Sequence, residues 1–212
     1  MDIDKVIVKA QAILFESGIY AKLPEDMTDA VALAALDIAG APAQTIKLVK
    51  PGDSVLILGA TGKSGVMCSY IAKKIVGSTG KVLGLARNEA RAEYLSNVGF
   101  CDSVVVADAR NPVEVYEKTL EANDGKEVDI SINCVNISDT EMSSILPVRD
   151  DGIVYFFSMA TSFTKAALGA EGVGRDVTMI IGNGYTKNHA KITLDILRES
   201  PRLMKIFQEK YV

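Results

Sequence analysis

Residues 54–65 read SVLILGATGKSG, and this stretch decides the fold. Its first half is a short continuous run of branched apolar side chains, the pattern of a strand buried on both faces. Its second half is the loop Gly59-Ala60-Thr61-Gly62-Lys63-Ser64-Gly65. VMCSYIAKKIVG follows, with Val66, Met67, Tyr70, Ile71 and Ile75 on one helical face. The spacing therefore predicts strand, glycine loop, helix, entered through the turn Pro51-Gly52-Asp53.

Working outward, the alternation repeats downstream. Strands are expected at 81–86, 102–107, 129–135, 152–159 and 176–184. Helices are expected at 88–99, 111–123, 138–146 and 162–170, with one or two closing helices broken by Pro201. Gly99 suits a helix end, and Pro112 suits a helix start. Asp139 and Glu141 read as first-turn acids favoured by the helix dipole. Six strands alternating with helices imply right-handed crossovers. The fold class is thus α/β, a doubly wound parallel six-stranded sheet with helices on both faces.

Upstream, KVIVKAQAILF (5–15) reads as one or two short strands. A buried helix is expected over 27–39, capped by Thr28. Gly40 and Pro42 interrupt it, and a second helix follows over 43–49. The expected division is 1–50 as a leading connection, 51–186 as the α/β domain and 187–212 as closing helices.

Composition removes several function classes. The 212 residues are 48% hydrophobic and 24% charged, which excludes a disordered chain. A net charge of −4 gives no electrostatic footprint for nucleic acid or an anionic membrane. Aromatics are 6% with no Trp, too few for a base-stacking platform. No run approaches the roughly 20 apolar residues of a membrane helix. MDIDKVIVKAQAILFESG is not read as a signal peptide. Cys68, Cys101 and Cys134 are far apart and odd in number, so they read as buried thiols of a reducing cytoplasm.

The glycine loop carries the functional signal. Glycines between a strand and a helix let backbone approach a phosphate, and the helix N-terminus offers free N–H groups and partial positive charge. The alternative without a ligand is a plain tight turn. Two ligand classes compete. Gly62-Lys63-Ser64 is reminiscent of the G-x-x-x-x-G-K-[ST] loop of nucleoside-triphosphate enzymes. Five residues before Gly62, however, stands Ile57, and Gly59 leaves only Ala60 and Thr61 between the two glycines. Asp129 also opens its strand, where a magnesium-binding Asp should close one. The other class is the dinucleotide fold, G-x-G-x-x-G, here lengthened by one residue to G-x-x-G-x-x-G.

In a Rossmann domain the adenine ribose meets the end of the second strand, about 20 residues on. That end reads Leu85-Ala86-Arg87-Asn88, with no acid to take a 2′-hydroxyl and with Arg87 where a 2′-phosphate would be held. NADP is therefore favoured slightly over NAD. Asp108 ends strand three. Asn133, Val135 and Asn136 end strand four, and Ser158 and Met159 end strand five. The rule that ligands sit at carboxyl ends of parallel strands makes these the remaining cofactor-binding candidates, beside Gly59, Thr61, Gly62, Lys63, Ser64, Gly65, Ala86, Arg87 and Asn88.

Other chemistry is discounted. Tyr70-x-x-x-Lys74 matches a reductase catalytic pair but lies on the helix after the glycine loop, with Tyr70 on its apolar face. His189 is the only histidine and falls at a helix start. One His and three scattered Cys make no zinc set. No catalytic residue is assigned within the chain.

The segments LPEDMTDAVALAAL, LVKPGDSVLILGATGKSGVMCSYIAKK and KVLGLARNEARAEYLSNVGFCDSVVV resemble the cofactor half of the medium-chain dehydrogenase/reductases. The longer glycine loop is most similar to their quinone-oxidoreductase branch. The resemblance implies an NAD(P)-dependent oxidoreductase. Within that family it implies an amino-acid dehydrogenase of lysine fermentation that removes an amine oxidatively. It also implies a GroES-like catalytic domain preceding this chain, of which residues 1–50 look like the last strands and connecting helices. A homodimer built through the strand near 177–184 is implied as well. A nucleoside-triphosphate enzyme and a non-catalytic dinucleotide-sensing module remain as alternatives.

Overall fold

The computed structural model describes residues 8–182 and 184–211. Six strands form one all-parallel sheet in the order β3-β2-β1-β4-β5-β6. They are β1 (Ser54–Leu58), β2 (Lys81–Ala86), β3 (Ser103–Val106), β4 (Val128–Asn133), β5 (Val148–Phe156) and β6 (Val177–Ile181). Central β1 pairs with β2 on one side (Ile57 opposite Gly84) and with β4 on the other (Ile57 opposite Ile132). The chain thus winds outward in one direction through β2 and β3, then returns to wind the other way. The reversal beside β1 is the point at which such sheets open a crevice at their carboxyl ends.

The strand alternation explains the two helical layers. Val55 and Ile57 point to one face, where α3 (Lys63–Val76) covers them. Leu56 and Leu58 point to the other, beneath α5 (Pro112–Ala122), α6 (Glu141–Ile145) and α7 (Phe163–Gly172). All four are fully buried, each worth about 1.5–3 kcal/mol of transfer free energy. On the outside of α3 a third cluster joins Met67 and Ile71 to α1 (Asp29–Leu36), α8 (His189–Glu199) and α9 (Pro201–Lys210) through Val31, Leu197, Leu203 and Phe207. α2 (Gly40–Leu48) and α4 (Glu89–Val98) complete the layers.

Several expectations need correction. Residues 8–15 form no strand and lie exposed, because no edge of the sheet pairs with them; Lys5, Val6 and Ile7 lie outside the described residues. Thr28 caps α1 as expected, accepting from Val31 N at 3.4 Å. Gly40 and Pro42, expected to break helix, instead lie in the first turn of α2, where proline needs no N–H bond. Gly40 is required there because a Cβ would stand 2.5 Å from the Gly184 carbonyl oxygen. β5 begins four residues before the expected 152: Val148 pairs with Val128, the register slips, and Gly152 resumes the ladder. β6 ends at Ile181, short of 184; Asn183 lies outside the described residues. The helix expected over 138–146 shrinks to the single turn of α6.

Candidate functional site

The turn after β1 is shaped by two glycines that no other residue can replace. Gly59 has φ +77° and lies against the chain leaving β4, where a Cβ would be 3.0 Å from Val135 Cγ2. A Cβ on Gly65 would stand 2.1 Å from the Gly59 carbonyl oxygen, so only glycine lets α3 start this close to β1. The Gly62 N–H donates to Gly59 O at 2.9 Å and closes the turn. Gly62 is also the N-cap of α3 and has no side chain with which to cap it. The first-turn N–H groups of α3 therefore lack a side-chain acceptor, the condition under which a helix start attracts an anion. Two residues lie between Gly59 and Gly62, too short a turn to wrap a triphosphate. Asp129 sits at the opposite end of the strands, bonded to Ser54 and Arg149. These facts, with the sheet order, remove the triphosphate-enzyme reading.

Two clefts flank the loop. One, of about 480 Å³, lies over the ends of β1, β2 and β3 and is lined by Gly59, Thr61, Leu85, Arg87, Asp108, Ala109, Arg110, Val135 and Ile137, among others. The second, of about 520 Å³, lies over β4, β5 and β6 and is lined by Asp37, Lys63, Ser64, Cys134, Asn136, Phe157, Ser158 and Met159, among others. Ten of the expected residues divide evenly between the two clefts.

Five of the expected residues line neither cleft: Gly62 and Gly65 within the loop, and Ala86, Asn88 and Asn133. Ala86 is buried, with its carbonyl accepting from Ala107 N at 3.0 Å. Asn88 caps α4, its side chain accepting from Arg91 N at 3.1 Å. Asn133 is fully buried and spends its whole amide internally. Its nitrogen donates to Thr140 Oγ1 (2.8 Å) and Ser144 Oγ (2.9 Å), and its oxygen accepts from Val135 N (2.9 Å). Asn133 therefore shapes the exit of β4 rather than the cleft.

The electrostatics are uneven. Arg110 holds Asp108 through Nη2 (2.7 Å), Nε (3.1 Å) and its backbone N–H (2.9 Å). That fork keeps the Asp108 carboxyl down at about 2. Lys63 Nζ is held by Asp37 Oδ2 at 2.6 Å. Burial pushes the Cys68 thiol up and the Cys101 thiol to about 11, the behaviour of inert core thiols. Tyr70 donates to Glu199 Oε1 at 2.6 Å and stacks edge-on with Phe100, so it packs rather than reacts. His189 opens α8, with Nδ1 2.8 Å from the Thr186 carbonyl oxygen and its ring against Tyr185. Among the described residues no group of three His, Cys, Asp or Glu is placed to hold a metal ion. No single helix there is long and apolar enough to cross a membrane.

Sequence reasoning missed Arg110 and Asp37. Arg110 follows Asp108 by two residues, a spacing that lets a guanidinium fold back onto the carboxylate. Asp37 precedes the glycine loop by 26 residues relative to Lys63 and joins the site only through the packing of α1 on α3.

No protein-family model matches the chain. The sequence is 69% identical over 211 residues to L-erythro-3,5-diaminohexanoate dehydrogenase of Acetoanaerobium sticklandii. It is 62% identical to the enzyme of that name from Fusobacterium nucleatum. Each match covers 100% of this chain and 61% of the relative, so the chain spans about three-fifths of the length of these relatives. In structure it matches the alcohol dehydrogenase TADH from Thermus sp. ATN1 with a TM-score of 0.62 at 25% identity, covering 86% of this chain and 52% of that one. The sequence likeness thus covers the whole chain but only part of each relative, and the structural likeness covers about half of the alcohol dehydrogenase. The glycine loop of this chain lies between the two clefts at the carboxyl end of the sheet.

Proposed function

We propose that this chain is the dinucleotide-holding part of an NAD(P)-dependent dehydrogenase that oxidatively deaminates 3,5-diaminohexanoate or a close diamino acid. One observation carries the reading: an uncapped helix start, reached through glycines that admit no Cβ, stands between two clefts at the switch point of the sheet. A dinucleotide has that bipartite shape. Gly59, Gly62 and Gly65 would admit the pyrophosphate, with Thr61, Lys63 and Ser64 around it. Arg87, Asp108 and Val135 would line the adenosine half, and Asn136, Ser158 and Met159 the nicotinamide half. The bound nicotinamide supplies the hydride acceptor. The chain's own residues bind it, orient it and keep water from one of its faces.

NADP is favoured over NAD. Arg87 and Arg110 both line the β2–β3 cleft, and its one acid, Asp108, is already neutralised by Arg110. Residues 51–186 act as the cofactor domain and 187–212 as closing helices. Residues 1–50 connect to a GroES-like catalytic domain, which supplies substrate-binding groups. β6 is an edge strand with partly exposed Val177, Met179, Ile180 and Ile181, and it pairs with its mate in a homodimer. Free Cys68, Cys101 and Cys134 suit a reducing cytoplasm. Neither nucleic acid nor membrane is a partner in this reading.

The test is calorimetric titration of the full-length protein with NADPH, NADH and Mg-ATP, beside a Gly62→Asp variant. Dinucleotide binding that vanishes in the variant, together with diaminohexanoate-dependent formation of reduced nicotinamide, is the expected result. Tight dinucleotide binding with no turnover of any amine would instead favour a sensing module.

A further inference from the structure

The residues at the end of α9 reach back to the tip of the glycine loop. Lys210 Nζ donates to the Thr61 carbonyl oxygen at 2.9 Å. Tyr211 Oη donates to the same oxygen at 3.2 Å. The two donors are themselves anchored. The Lys210 ammonium lies 3.7 Å from the centroid of the Tyr94 ring on α4, a cation–π contact. The Tyr211 ring packs edge-on against fully buried Phe207, with centroids 5.2 Å apart.

These bonds act on one peptide unit. The carbonyl of Thr61 and the N–H of Gly62 belong to the same planar trans peptide and point in opposite directions. The N–H end is tied to Gly59 O at 2.9 Å. The carbonyl end is tied to Lys210 and Tyr211. A flip of this unit would break both attachments and swing the negative end of its dipole elsewhere in the loop. Thr61 lines the β2–β3 cleft directly beside the uncapped start of α3, so a freed carbonyl has an anion site as its neighbour. Glycine at position 62 leaves such a rotation sterically cheap.

We propose that Lys210 and Tyr211 are positioning residues for the dinucleotide: they hold the Thr61 carbonyl against α9 and so keep its dipole turned away from the pyrophosphate. This rests on the dinucleotide reading of the site. It makes the closing helices part of the binding machinery rather than a cover for α3. Lys210 serves as a charged donor from the exposed end of α9, steadied by its contact with the Tyr94 ring. Tyr211 supplies the second bond from a ring already fixed by packing.

The test uses Tyr211→Phe, Lys210→Met and the double variant in the full-length protein. Affinities for NADPH and for 2′-AMP, which carries the adenosine end without a pyrophosphate, are measured by calorimetry, with thermal unfolding alongside. Each single variant should bind NADPH about three- to tenfold more weakly, the worth of one hydrogen bond. The double variant should lose less than the product, because both donors share one acceptor. Affinity for 2′-AMP should stay within about twofold of wild type. Lys210→Arg, which keeps a charged donor, should restore most of the NADPH affinity. A merely structural role would lower the unfolding midpoint and leave the ratio of NADPH to 2′-AMP affinity unchanged, which overturns the proposal. Wild-type NADPH affinity in the double variant overturns it too. A wild-type protein that binds no dinucleotide overturns the site reading itself and the grip with it.

Discussion

The two ends of the parallel strands carry hollows of very different kinds. At the amino end lies a groove of about 930 Å³, lined by Ser54, Lys81, Asp102, Asp124, Asp129 and Arg149, among others. At the carboxyl end lie the two smaller clefts, of about 480 and 520 Å³. The larger hollow is the more fully charged, yet its charges answer one another. Asp129 accepts from Ser54 N (2.7 Å), Ser54 Oγ (2.8 Å) and Arg149 Nε (2.8 Å), tying the starts of β1, β4 and β5 together. Asp102 accepts from Val82 N (2.8 Å) and Lys73 Nζ (2.5 Å), and Lys81 pairs with Asp124 at 3.1 Å. At the carboxyl end the helix start has no side-chain cap, and the glycines bring backbone together closely enough to leave no room for a Cβ at Gly65. What marks a ligand site is donor capacity left unspent, rather than size or charge.

The sharpest way to break this contrast is to fill the glycine cradle. Gly65→Val places atoms where a Cβ already meets the Gly59 carbonyl at 2.1 Å. Backbone opposes it on that side, so α3 must shift from β1. A cost of about 3 kcal/mol or more and complete loss of dinucleotide binding are expected. Chemical denaturation and calorimetry read the two effects. Retained binding would show that the loop does not need to approach the phosphates. The amino end should respond in the opposite sense. Asp129→Ala leaves the Ser54 N–H and the Arg149 guanidinium without their acceptor, a loss of about 2 kcal/mol. The denaturation midpoint should fall while dinucleotide affinity holds. A parallel fall in affinity would mean that the two ends of the sheet are coupled.

Much of this was legible in the sequence because its physical cause is local. A continuous run of branched residues before Gly59 makes β1 unambiguous, and glycine spacing after it fixes the start of α3. Alternation announces a parallel, doubly wound sheet, whereas the order β3-β2-β1-β4-β5-β6 is visible only in the structure, because alternating chains also form other orders. What escaped depends on contacts between distant segments. Residues 8–15 look strand-like in pattern, but a strand exists only where a neighbouring edge offers hydrogen bonds. Asn133 sits at a strand end as the ligand rule requires, yet Thr140 and Ser144 claim its amide. Asp37 enters the site, and Lys210 and Tyr211 reach the loop, through packing of the outer helices, which no spacing in the chain announces.

Within the carboxyl end, Arg87 and Arg110 differ in how far they are spent. Arg110 is engaged by Asp108, whereas Arg87 forms no ion pair among the described residues. Arg87→Ala should therefore weaken NADPH about tenfold or more, the worth of one charge-assisted hydrogen bond to a phosphate, and change NADH by less than about twofold. Parallel titrations decide it. Equal weakening of both cofactors would place Arg87 against the part they share and remove it as a selector.

The Asp108–Arg110 pair, like Lys63–Asp37, spends its charges as the amino end does, and it offers the smallest but most specific readout. Arg110 donates to Asp108 from its side chain and from its backbone, and the carboxyl is held down at about 2. A depressed carboxylate contributes stability that is complete above the unfolded value of about 3.9 and is lost as pH falls toward about 2. Both side chains are half exposed, so the stability at stake is slight, and an NMR titration of the Asp108 carboxyl is the proper measurement. Arg110→Gln should move that titration upward, toward but not fully to the ordinary value, because the backbone N–H of residue 110 still donates. NADPH should move it upward in the wild type as well, since a 2′-phosphate in the cleft competes for the same guanidinium; NADH, which lacks the phosphate, should leave it where it is. A titration that ignores both cofactors would leave Arg110 as a fastener for the loop after β3, no different in kind from Arg149 at the other end of the sheet.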